Sequence, residues 1–79
     1  MEKNPFLKMR EKWPSSVVAR TQVGRFSGGT LNGRYLANLD SLGEGPEGRI
    51  RVGRKVCYPV DSLIRFLEQR LEILSDQKK

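Results

Sequence analysis

Arg34 and Asn38 stand four residues apart in the run from Gly33 to Leu42. They are the side-chain types that pair bidentately with the major-groove edges of guanine and adenine. Downstream, Arg49, Arg51, Arg54 and Lys55 put four cations into seven residues with no acid among them. Such a cluster suits contact with a phosphate backbone or a minor groove, because every cation placed on a phosphate releases a condensed counterion. Arg20 and Arg25 are further candidates for backbone contact, and Tyr35 and Ser41 for phosphate contact beside Arg34 and Asn38. Each has an ordinary alternative. Arg34 and Asn38 could be a solvated helix face, cations on an edge strand also oppose aggregation, and Tyr35 could be half-buried with its hydroxyl in water.

The rest of the chain offers little other chemistry. It has 79 residues, one cysteine and no histidine. Cys57 has no partner for an internal disulfide, and the common zinc sets and every His-dependent catalytic arrangement are excluded. Lying in an apolar run beside Tyr58, Cys57 is expected to be a buried, inert thiol. The segment GEGPEG, residues 43–48, lacks the spacing of a phosphate-binding loop and carries two glutamates, so it is expected to be a plain turn. No paired acid and base, metal set or activated nucleophile can be assembled. The expectation is a protein with no cofactor and no enzymatic activity.

Charge is distributed unevenly. The net charge is +6 and the pI about 10.0. Residues 15–35 hold three arginines and no acid, residues 36–48 hold three acids and no base, and residues 49–55 hold the four cations already named. A merely soluble surface would interleave the signs; two separated basic stretches suit phosphates at two places. At this length the chain is one domain with a thin core. The start, MEKNPFLKMREKWP, mixes charges with scattered apolar residues and resembles neither a signal peptide nor a membrane span. A reducing cytoplasm is the expected compartment.

The elements that would position these residues follow from local signals. Residues 1–14 carry two prolines and six charges and are expected to form a flexible basic arm with Trp13 packed on the domain. Ser15 and Ser16 could cap a helix running to about Arg25, which Ser27-Gly28-Gly29 would break. Asn32 is a good cap for a second helix of about ten residues, ended by Gly43. On that helix Leu36 and Leu39 face one way, and Arg34, Asn38 and Ser41 the other. RIRV and KVCY around Gly53-Arg54 predict a hairpin in which Ile50, Val52, Val56 and Tyr58 pack while Arg49, Arg51 and Lys55 face outward. From Pro59 to about Leu74, an amphipathic helix carries Val60, Leu63, Ile64, Leu67, Leu71 and Leu74 on one stripe, with Phe66 and Ile73 off it.

Taken together, TLNGRYLANLDSLGEGP and RIRVGRKVCYPVDSLIRFLEQR resemble the excisionase-like and MerR-type winged helix-turn-helix pattern. In that pattern a recognition helix ends at Gly, a Gly-Arg tip closes a wing, and a Tyr precedes a helix. The resemblance covers about residues 15–71. The chain departs from it in the longer turn FSGGTLN and in Gly33 at the start of the recognition helix. It implies a mainly α fold with a small β-hairpin wing over residues 15–75, an N-terminal arm over 1–14 and a tail over 76–79. It also implies sequence-specific binding of double-stranded DNA, acting by occupancy and bending. The role would be a recombination directionality factor or a small transcriptional regulator of a mobile element. Partners would include a recombinase or adjacent copies of the chain on DNA, with no membrane, in a bacterial or phage setting at the nucleoid. The alternative is a small protein-interaction module that binds an acidic partner through the basic face and the Phe66/Ile73 seam. RNA is less favoured, since the aromatic residues are few and none sits in an RNP-like sheet motif.

Overall fold

A computed structural model describes residues 6–71. Helix α1 (Leu7–Lys12) is followed by strand β1 (Val17–Ala19), a 3-10 turn (Arg20–Gln22), and helices α2 (Val23–Phe26) and α3 (Gly33–Ser41). Strands β2 (Ile50–Val52) and β3 (Lys55–Pro59) then form a hairpin, and helix α4 (Val60–Glu68) closes the described chain. The architecture is α+β: four helices against a three-stranded antiparallel sheet of order β1-β3-β2, within the described residues.

Two sequence expectations are corrected at the N-terminal side. Residues Ser15–Ala19 do not begin a helix. Val17 and Val18 are β-branched and pair with β3 in the register Val17↔Pro59, Val18↔Tyr58 and Ala19↔Cys57, so the backbone bonds of this segment go into a sheet. The hairpin therefore gains a third strand, and the fold is less purely helical than expected. The segment before it is not a loose arm from Phe6 onward. Residues 7–12 are helical, and Phe6, Met9 and Trp13 pack against the core. The Trp13 ring meets Phe26 edge-on at 5.3 Å and 89°, and its indole N–H donates to the Val17 carbonyl at 2.9 Å, so both its apolar body and its polar handle are satisfied. Residues 1–5 lie outside the described residues, as does the proposed tail.

The turn between α2 and α3 is built by one buried hydroxyl. Ser27, 2% exposed, accepts a 3.0 Å bond from the Leu31 amide through Oγ, and Gly28 and Gly29 take positive φ so that the Gly29 amide can donate to the Gly24 carbonyl at 2.8 Å. This places Leu31 in the core and delivers the chain to Asn32, whose side chain accepts from the Tyr35 amide at 2.8 Å. Helix α3 stops as expected. Gly43, at φ 76, lets its own amide donate to Asp40 and that of Glu44 to Leu39, which is the Schellman pattern.

Helix α4 is shorter than its apolar stripe suggested and begins one residue later, with Pro59 as N-cap rather than inside the first turn. Val60, Leu63, Ile64 and Leu67 are buried as expected; Leu74 lies outside the described residues. Phe66 is a correction: it is 4% exposed and belongs to the core, covered by the guanidinium of Arg70 at 3.8 Å. The connector 43–48, with Pro46 buried, lines an open cavity together with Ser62, Arg65 and Phe66. Phe66 is thus part of this chain's own core rather than an open surface, and Ile73 lies outside the described residues. No helix among the described residues is long and apolar enough to cross a membrane.

Candidate nucleic-acid interface

On α3, Leu36 is fully buried and Leu39 partly so, which turns Arg34, Asn38 and Ser41 outward, all exposed. Arg34 and Asn38 are one turn apart, about 6 Å along the axis. That is a little under two base-pair steps of about 3.4 Å. Tyr35 is 40% exposed at the edge of this row. Ser41 donates its hydroxyl back to the Asn38 carbonyl at 2.8 Å, so its proton is occupied within the helix and its oxygen alone faces outward.

Gly33, at the first position of α3, has a packing reason. A Cβ there would lie 3.0 Å from the Arg20 carbonyl oxygen and 3.3 Å from the Arg20 Cγ. The start of the helix rests directly on the 3-10 turn, an approach that only glycine makes without displacement.

The hairpin turns through Gly53 and Arg54, with Gly53 alone at positive φ (62°), as in a type II′ turn. Here the expected facing is corrected. A two-residue turn pairs Val52 with Lys55, Arg51 with Val56 and Ile50 with Cys57. Opposed residues share a face, so Ile50 and Val52 lie on the side of Cys57, away from Val56 and Tyr58, and are 45% and 61% exposed. The cations are split between faces: Arg51 lies on the side of Tyr58 and Lys55 on the side of Cys57. Arg51, Arg54 and Lys55 are all exposed, with no ion pair among the described residues.

Arg20 and Arg49 have another occupation. Asp40, on the inner side of α3, has a side chain only 5% exposed. Its Oδ2 accepts from the Tyr58 hydroxyl and from Nη2 of Arg20, both at 2.6 Å, while Arg20 Nε donates to the Tyr58 oxygen at 2.9 Å. Arg49, at the root of the hairpin, brings Nη1 to 3.2 Å from Oδ1 of Asp40 without the alignment of a hydrogen bond. Burial pushes the Tyr58 phenol above its ordinary 10.0; the hydrogen bond to the Asp40 carboxylate pushes it the same way, and Arg20 pulls against both. The bond to Tyr58 raises Arg20, opposed by desolvation and reinforced by Asp40. One carboxylate thus ties α3 to the 3-10 turn, to β3 and to the root of the hairpin. Sequence reasoning missed Asp40 because an acid in an acidic stretch reads as a solvated charge; its place one residue after Leu39, on the Leu36 side, was the available signal.

Arg25, exposed at the end of α2, lies beside Phe26 and Cys57 rather than on the outward face of α3. Cys57 is free and 7% exposed. No cluster of three or more metal-ligating side chains occurs among the described residues. The chain was compared with protein-family models, curated proteins and solved structures, and none matches.

Proposed function

We propose that this chain binds double-stranded DNA sequence-specifically as a winged helix-turn-helix. In this reading α2, the Ser27 turn and α3 form the helix-turn-helix, β2 and β3 the wing, and α4 the closing helix. The carrying observation is that Arg34 and Asn38 project from α3 while the hairpin bearing Arg51, Arg54 and Lys55 springs from beside that helix, tied to it through Arg49 and Asp40. An arginine and an asparagine at this spacing can read base edges about two steps apart, and exposed cations on a neighbouring hairpin can hold the flanking backbone. The excisionase-like resemblance makes the role that of a recombination directionality factor or a small regulator of a mobile element, acting in the cytoplasm by occupancy and bending rather than by catalysis. A recombinase or further copies of the chain on DNA would be its partners.

Selection of bound duplexes from a random pool tests this. The expected result is one enriched site, lost when Arg34→Ala or Asn38→Ala protein is used. Enrichment of no sequence, or of the same sequence by both variants, overturns the reading.

A further inference from the structure

The face of the sheet opposite Tyr58 carries a groove of about 850 Å³, within the range of about 300–1,000 Å³ in which ligand pockets fall. Val17, Ala19 and Cys57 form its floor, and the side chains of Met9, Trp13 and Phe26 line it. The floor follows from register: Val17↔Pro59 and Ala19↔Cys57 put these residues on one face, and Ile50, paired with Cys57, extends that face toward the hairpin with 45% exposure. The larger part of the core lies on the other face, against Val18 and Tyr58; on this face Met9, Trp13 and Phe26 belong to or pack against the core and Cys57 is buried, while Val17 and Ala19 remain partly exposed.

The rim decides what could occupy it. Lys8, Lys12 and Arg25 stand around the groove, and none of its lining residues is acidic. None of the three cations has an ion pair among the described residues, whereas Arg10, on another side of α1, meets Asp61 at 2.9 Å. A duplex would satisfy the cations but leave the apolar floor wet, since its phosphate backbone offers too little apolar surface to fill a groove lined by Trp13 and Met9. A purely aliphatic ligand would fill the floor but make no use of the three rim cations, all exposed.

We infer that this groove docks a partner protein through an acidic segment bearing apolar side chains, which would seat on Val17 and Ala19 while its carboxylates meet Lys8, Lys12 and Arg25. Because the groove is on the sheet face turned away from α3, docking there leaves Arg34 and Asn38 free. The inference does not depend on the DNA-binding reading.

Random peptides displayed for selection on the immobilised full chain test it, with the winning peptide then titrated against Trp13, the single tryptophan. The expected outcome is enrichment of acidic peptides with apolar residues, a saturable change in Trp13 fluorescence, and binding about tenfold weaker in Lys8→Glu/Lys12→Glu, a loss of about 1.4 kcal/mol. That double variant changes only exposed positions of α1 and is expected to keep the fold; Ala19→Glu, which fills the floor, should weaken binding at least as much. Enrichment of basic peptides, or equal binding to the double variant, overturns the proposal. So does displacement of the peptide by a DNA duplex whose own affinity falls in Lys8→Glu/Lys12→Glu, since the rim would then belong to the nucleic-acid interface.

Discussion

Tyr58 of β3 donates its hydroxyl to Asp40 of α3 at 2.6 Å, across the space between the sheet and the helix that carries Arg34 and Asn38. The ring is fully buried and the carboxylate nearly so, and Arg20 bonds to both partners. The outward row of α3 is therefore aimed from behind, by a polar cluster that touches none of the residues proposed to read DNA.

Removing the carboxylate should cost more than its count of bonds suggests. Asp40→Ala leaves the buried Tyr58 hydroxyl proton without an acceptor, though its oxygen still accepts from Arg20 Nε, and leaves Nη2 of Arg20 to find water, which it can do in part because 27% of its side chain is exposed. The expected loss is about 2–4 kcal/mol, below the full cost of an orphaned buried charge. Asp40→Asn keeps an acceptor and should cost about half as much. Urea midpoints of the two variants check this, and equal midpoints with the wild type would show that the cluster adds no stability. Gly45→Ala should act on the same group, because a Cβ at Gly45 would overlap Oδ1 of Asp40.

Stability should fall in alkali through Tyr58. Its pKa is raised on folding, so below 10.0 the phenol is protonated in both states and its contribution is fully present. Above that value the unfolded chain releases the proton first, and stability drains away until the folded phenol titrates. Urea midpoints measured between about pH 9 and pH 11 should fall less steeply for Tyr58→Phe than for the wild type. Parallel slopes would mean that the buried phenol is not the titrating group.

Much of this arrangement was legible locally. Asn32 as cap, Gly43 as terminator, the Gly53-Arg54 turn and the Val60-Leu63-Ile64-Leu67 stripe act over a few residues, and each lies where its pattern puts it. What escaped is non-local or a matter of parity. β1 exists because Val17–Ala19 finds β3, beyond both α3 and the hairpin turn, and no window around Ser15 contains that partner. Phe66 lay off the helical stripe, and that angle shows neither its place in the core nor the Arg70 guanidinium over its ring. The exposed facing of Ile50 and Val52 was in fact deducible: once a two-residue turn is accepted at Gly53-Arg54, residue 50 must oppose 57.

Gly33 looked like a poor start for a helix, and its replacement tests the packing explanation. In an open helix Gly→Ala gains up to about 1 kcal/mol. Here the new methyl meets the Arg20 carbonyl at 3.0 Å, and Arg20 is held by Asp40 and Tyr58, so it has little room to yield. The substitution should lower stability by about 1 kcal/mol or more instead. A higher urea midpoint for Gly33→Ala would show that the contact relaxes without cost.

The arginines should separate into two groups when DNA binding is measured against salt. Arg51 and Arg54 are exposed and unpaired among the described residues. If they sit on phosphates, Arg51→Ala and Arg54→Ala should each lower the slope of log affinity against log salt by about one, alike on selected and scrambled duplexes. Arg34→Ala and Asn38→Ala should cost about 1–3 kcal/mol on the selected duplex and little on the scrambled one, because a base edge penalises its missing partner only where it was read. Arg20 is the discriminating case. Its guanidinium is committed to Asp40 and Tyr58, so Arg20→Ala should lower the urea midpoint and leave the salt slope unchanged. A full unit lost from the slope with the midpoint intact would mean that Arg20 leaves Asp40 for a phosphate when DNA arrives, and that the carboxylate holds it in reserve rather than in place.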